Sequence, residues 1–103
     1  MRKYTLYVPT SHVDDPNVRD GVDTLRWIAG GRTDSEVAGW WLSETAGMVS
    51  ESITRFEYLL PSDSIDPKVR TFVAKLASMA HTLKQLGEES VLVEITRPDV
   101  RWL

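Results

Sequence analysis

Polar and apolar residues alternate along KYTLYV (3–8), the period-two pattern of a strand with one face buried. The pattern then changes. Val18, Val22, Leu25 and Ala29 recur at helical spacing and predict a helix over 16–29, stopped by Gly30-Gly31. EVAGWWLS (36–43) reads as a second strand, and ETAGM (44–48) holds the glycine that a hairpin loop favours. VSESITRFEYLL (49–60) reads as a third strand, ended by Pro61. Val69, Val73, Leu76, Ala80 and Leu83 form a second helical stripe, predicting a helix from Pro67 to about Leu86 before Gly87. SVLVEIT (90–96) is a fourth strand, ended by Pro98.

Both helices open on the same phrase. DPNVR at 15–19 returns as DPKVR at 66–70, an offset of 51 residues. The aspartate can accept hydrogen bonds from the first free backbone N–H groups, and proline suits the first helical position. Each arginine stands four residues after its aspartate, within reach of an exposed ion pair. The same offset sets Tyr7 on Tyr58, Val22 on Val73 and Leu25 on Leu76. The order β-α-β-β-α-β, in halves of about 3–43 and 49–96, predicts one ferredoxin-like α+β domain over 1–103. Its four-stranded antiparallel sheet would carry two helices on one face and leave the other open.

Strand alternation assigns the faces. Val91, Val93 and Ile95 are expected in the core, with Leu92, Glu94 and Thr96 opposite. On the third strand, Phe56, Tyr58 and Leu60 oppose Ile53, Arg55, Glu57 and Leu59, and both sets hold large apolar residues. Strands apolar on both faces suggest that the open face meets a subunit or ligand. Neighbours on a strand point to opposite sides, so at most one of Trp40 and Trp41 can enter the helix-covered core. The other is either an aromatic platform or is covered by the chain's own tail near Trp102. Trp27 is expected to pack over the Gly30-Gly31 turn.

Charge and composition narrow the functions. Twelve Lys/Arg against fifteen Asp/Glu give a net charge of −3, without the basic footprint of a nucleic-acid binder. No apolar run is long enough for a membrane helix or shaped like a signal peptide, and cysteine is absent. The expectation is a cytoplasmic protein that uses no membrane. Two histidines in separate elements, without HxH or HExxH spacing, give no metal signature, and no phosphate-binding glycine loop or other cofactor motif is present. His12 lies in a loop, TSHVDD, beside Ser11, Asp14 and Asp15, and is read as a ligand or partner contact rather than part of a triad. His81 falls off the apolar stripe and is read as a surface residue. Glu51, Glu57 and Glu94 could converge on the open face, where cross-strand pairing of Arg55 with an acid is the simpler expectation. The candidate binding residues are Trp40, Trp41, Tyr7, Arg55, Glu57, Glu94 and His12, with no catalytic residue assigned.

Short motifs resemble a family of small uncharacterised bacterial and phage proteins. They are Gly31-Arg32-Thr33, Gly39-Trp40-Trp41, Gly47 with the run from Val49 to Leu60, and Leu86-Gly87-Glu88-Glu89-Ser90-Val91-Leu92. That family carries a G-x-T turn, a G-x-W strand, a hairpin glycine and a G-Q-E-S-V-L approach to its last strand. Here Glu88 replaces the usual glutamine, and the spacing of the first two motifs differs slightly. The resemblance implies a ferredoxin-like fold and carries no catalytic residue. Three functions remain open. One is a non-catalytic binding protein, dimeric through its open face or an edge, that takes a small ligand or a protein. Another is a phage-type inhibitor of host defence that sequesters a nucleotide signal or binds a host protein. The third is a small dimer-interface enzyme using Arg55, Glu57, Glu94 and His12.

Overall fold

The structure, a computed structural model, describes residues 1–63, 65–88 and 90–98. The chain runs β1 (Arg2–Pro9), α1 (Pro16–Ala29), β2 (Thr33–Ser43), β3 (Gly47–Leu60), α2 (Pro67–Gln85) and β4 (Val93–Thr96). The strands form one antiparallel sheet in the order β2-β3-β1-β4, the ferredoxin-like α+β arrangement. A 3-10 turn, Thr10–His12, joins β1 to α1.

Both helix starts form as the repeated phrase predicts. Asp15 accepts from the backbone N–H of Asn17 and Val18, and Asp66 from that of Lys68. Gly30 closes α1 in the left-handed region, at φ 88°, where a Cβ would be strained. Arg19, however, bonds Asp14 at 3.2 Å, because Asp15 is occupied as the cap.

Residues directly opposite across a ladder share a face. Tyr4 faces Tyr58, Leu6 faces Phe56, and Val8 faces Thr54. Tyr4, Leu6, Val8, Phe56, Tyr58 and Leu60 are buried beneath Val18, Val22 and Leu25 of α1 and Val69, Phe72, Leu76, Met79 and Leu83 of α2. The open question on β3 is thereby answered: Phe56, Tyr58 and Leu60 enter the core. Phe72 stands edge-on between Tyr4 and Tyr58, at 5.1 and 5.2 Å between ring centroids. The Tyr58 hydroxyl donates to the Val22 carbonyl at 3.1 Å, and burial pushes its pKa well above the ordinary phenol value. Arg32 ties the start of β2 to α1 through Asp34 (2.7 Å) and Asp23 (3.1 Å), with its guanidinium 5.1 Å from the Phe56 ring centroid. Burial works against its charge, but the hydrogen bond and charge of Asp34, with help from Asp23, outweigh it and raise its pKa.

Several expectations on packing are corrected. Val73 is exposed, and the α2 stripe runs through Phe72 and Met79 instead. Ile95 has the core-side register, opposite Tyr4, yet is 56% exposed on the edge strand β4, whereas Val93 on the same face packs against the core. Strand β2 begins at Thr33, three residues earlier than the pattern indicated, and β4 spans only Val93–Thr96. Trp27 does not pack over the glycine turn: it is 78% exposed with the Arg26 guanidinium beside its ring. Trp102 lies outside the described residues.

Candidate functional site

Opposite the helices, β2 and β3 carry a second apolar set. Val37 faces Ile53, Trp41 faces Val49, and Gly39 faces Glu51. Pro9 of β1 lies opposite Ile53 on the same side. Ile53 is buried although no helix covers it, because this set shields it. Gly39 is what lets the shielding happen. A Cβ there would come within 2.8 Å of Ile53 Cγ1 and 3.2 Å of Trp41 Cζ3, so the indole leans back across the glycine. Trp40, on the helix side, lies past the end of the helices and is exposed. Neither tryptophan enters the core.

Beside Trp41 the open face forms a cleft of about 700 Å³. Its walls are Tyr7, Trp41, Val49 and Ile53 on the sheet, and Gly87, Glu88, Ser90 and Leu92 from the segment after α2. That segment is tied back in two places. The Tyr7 backbone N–H donates to the Leu92 carbonyl at 3.2 Å, and His12 Nε2 donates to Glu88 Oε1 at 2.9 Å. Glu51 also lines the cleft. Burial raises its pKa above the usual carboxylate value, the Glu88 charge adds to that, and His12 opposes it. Among the described residues the cleft wall contains two carboxylates, Glu51 and Glu88, and no lysine or arginine. A shallower depression of about 460 Å³ along the hairpin has no aromatic wall.

The candidate residues fall into two groups. Trp40, Trp41 and Tyr7 line the cleft, and His12 reaches it through Glu88. Arg55, Glu57 and Glu94 lie on the same open face nearer its middle, outside the cleft wall, and have partners of their own. Arg55 Nε donates to Ser35 Oγ at 3.0 Å and stands 4.0 Å from Glu57, while Lys3 lies 3.8 Å from Glu57. The Tyr7 hydroxyl donates to Glu94 at 3.3 Å. Glu51, Glu57 and Glu94 therefore do not form one acidic centre: Glu51 interacts with Glu88 and His12 instead. Glu88 was not a sequence candidate. It lies 76 residues from His12, and no local pattern links them. His81 is exposed, as its position off the stripe indicated. Among the described residues no group of three His, Cys, Asp or Glu side chains could hold a metal ion. No described helix is long and apolar enough to cross a membrane.

No family model matches this sequence, and no curated protein matches it. Its fold is similar to solved structures of low sequence identity. The PII-like protein CutA from Nostoc sp. PCC 7120, in apo form, is 14% identical with a TM-score of 0.60, over 96% of this chain and 82% of that one. A phage SAM lyase in complex with S-methyl-5'-thioadenosine is 18% identical with a TM-score of 0.58, over 92% and 79%. A Bacillus cereus protein related to NIF3 is 15% identical with a TM-score of 0.62, over 96% of this chain but only 25% of that one. At these identities the likeness establishes the fold, an α+β sheet shared with PII-like proteins.

Proposed function

We propose that the chain is a small-molecule-binding protein that works as a homo-oligomer and takes its ligand in the Trp41 cleft. The observation that carries this reading is the composition of the cleft wall: an indole and a phenol, aliphatic Val49, Ile53 and Leu92, and, among the described residues, two carboxylates without a cation. Aromatic faces suit a planar heterocycle. Carboxylates suit hydroxyl, amine or cationic groups and repel phosphate. The ligand class that fits is an unphosphorylated nucleoside, in particular an adenosine bearing a sulfur substituent like the one in the phage SAM lyase complex. The same chemistry argues against a phosphorylated nucleotide signal.

A second reading follows from Glu51, Glu88 and His12. A carboxyl with a raised pKa beside a histidine-carboxylate pair can move a proton, so the site could act on its ligand rather than only hold it. In that case His12, Glu51 and Glu88 are the reacting groups, and Arg55, Glu57 and Glu94 stiffen the sheet.

Calorimetric titration with S-methyl-5'-thioadenosine, S-adenosylmethionine and ATP tests both readings. Heat with either sulfur compound, and none with ATP, is the expected result. Heat with ATP alone, or with none of the three, would remove the ligand assignment. Chromatography of S-adenosylmethionine after incubation separates binding from turnover.

A further inference from the structure

The β2–β3 hairpin projects beyond the sheet. Strand β1 ends at Pro9, opposite Ile53, so residues 38–43 and 47–52 form a ribbon of two strands only. A two-stranded ribbon is marginal in water unless another surface covers it. The helix-side face of the ribbon carries Trp40, Leu42 and Met48, which are 70, 74 and 65% exposed, with Trp40 and Leu42 also bordering the cleft. Leu42 and Met48 are direct cross-strand partners, so the three make a continuous apolar strip. The ribbon is also acidic: residues 38–52 hold Glu44 and Glu51 and no lysine or arginine.

The other flank is its complement. Helix α2 carries Lys68, Arg70, Lys75 and Lys84 with no aspartate or glutamate. Beside it β4 is the outer strand of the sheet among the described residues; Ile95, on the helix side of that strand, is 56% exposed, while Glu94 lies on the opposite, open face. Two acidic hairpins would repel each other, whereas acidic-apolar against basic-apolar is attractive.

We propose that the hairpin of one copy seats Trp40, Leu42 and Met48 on the β4–α2 flank of a second copy. The two patches differ, so the contact is head-to-tail, and each copy offers one of each, as in a closed ring. Leu92, just before β4, lies on the opposite, open face in the cleft wall, so a hairpin crossing the β4 edge would border the cleft on that side. This last point rests on the ligand reading above; the assembly itself does not.

Light scattering at micromolar concentration, without ligand, tests the assembly. The wild-type chain should exceed its monomer mass of 11.7 kDa. Leu42→Glu combined with Met48→Glu should return it to the monomer, and so should Ile95→Glu alone. A mixture of the two variants retains one intact contact per pair and should give a dimer that grows no further. Glu44→Lys, at the exposed hairpin turn, should weaken self-association about two- to fivefold without touching any packed residue. Circular dichroism of each variant confirms the fold. A monomeric wild type, full assembly by Ile95→Glu, or no dimer in the mixture would overturn the proposal.

Discussion

Gly21 lies in the middle of α1 and is buried where the two helices meet. A Cβ built there would overlap the Met79 sulfur of α2. Gly21→Ala therefore sets two effects against each other. Alanine is the better helix residue, by about 0.8–1.0 kcal/mol. Inserting a methyl into a packed interface costs about 1–3 kcal/mol, and the upper part of that range applies because the overlap falls on the body of the methionine rather than its tip. The net expectation is a loss of about 1–2 kcal/mol, and each kcal/mol lowers Tm by about 4–8 °C in a domain of this size. Met79→Ala alone should cost about 2–5 kcal/mol through the cavity it leaves. In that background the clash is gone, so adding Gly21→Ala should raise stability by about 1 kcal/mol. Urea denaturation of the four proteins in a double-mutant cycle measures the change of sign. A single Gly21→Ala variant more stable than wild type, or additive effects in the double variant, would refute the helix contact.

Three further outcomes bear on the core and the cleft. Gly39→Ala relieves the conformational cost of a strand glycine, about 0.5–1 kcal/mol, but displaces Trp41; ligand affinity measured by calorimetry should fall although stability hardly changes. Tyr58→Phe removes the hydrogen bond to Val22 and should cost about 1 kcal/mol in chemical denaturation, whereas no loss would deny the bond a role. Glu51 has a raised pKa in the folded protein, so the fold binds its proton more tightly than the unfolded chain does. Stability is then lost as pH rises from the ordinary value of 4.5 through the raised one. Glu51→Gln should accordingly be stabilising at neutral pH relative to wild type and lose that advantage below pH 4.5; a gain independent of pH would contradict the assignment.

The fold was legible because its punctuation is local. Asp15-Pro16 and Asp66-Pro67 cap their helices from within three residues, and Gly30 ends α1 where the pattern stops. What escaped the pattern depended on volume and cover. On α2 both Val73 and Phe72 satisfy helical spacing from Val69, as do Ala80 and Met79 from Leu76. The larger side chains fill the gap between helix and sheet, so the stripe shifts by one position and the Val22–Val73 correspondence fails. Tyr7 and Tyr58 also part company, the first on the open face and the second in the core. Alternation put Ile95 on the correct face but could not show that core contact along β4 stops at Val93. The same limit applies to the tryptophans. Sequence allowed one of them into the core, whereas the hairpin carries both beyond it. Of the cleft, Trp41 and Tyr7 were readable as aromatic residues on strands. The Glu88–His12 contact was not, since it arises only when the segment after α2 folds back to the start of the chain.

The register of β4 has a mechanical consequence. Lys3 lies opposite Thr96 in the antiparallel β1–β4 pair, and the register runs to Leu6 opposite Val93, with the Tyr7 N–H still bonded to the Leu92 carbonyl beyond it. Tension applied at Lys3 and Thr96 acts across the ladder at one end, so its hydrogen bonds yield one after another, as in a zipper. Strands pulled lengthwise in shear would instead load all their bonds together. Stretched from these points, the protein should release β4 at low force as a discrete first event, while β1, β2 and β3 remain paired.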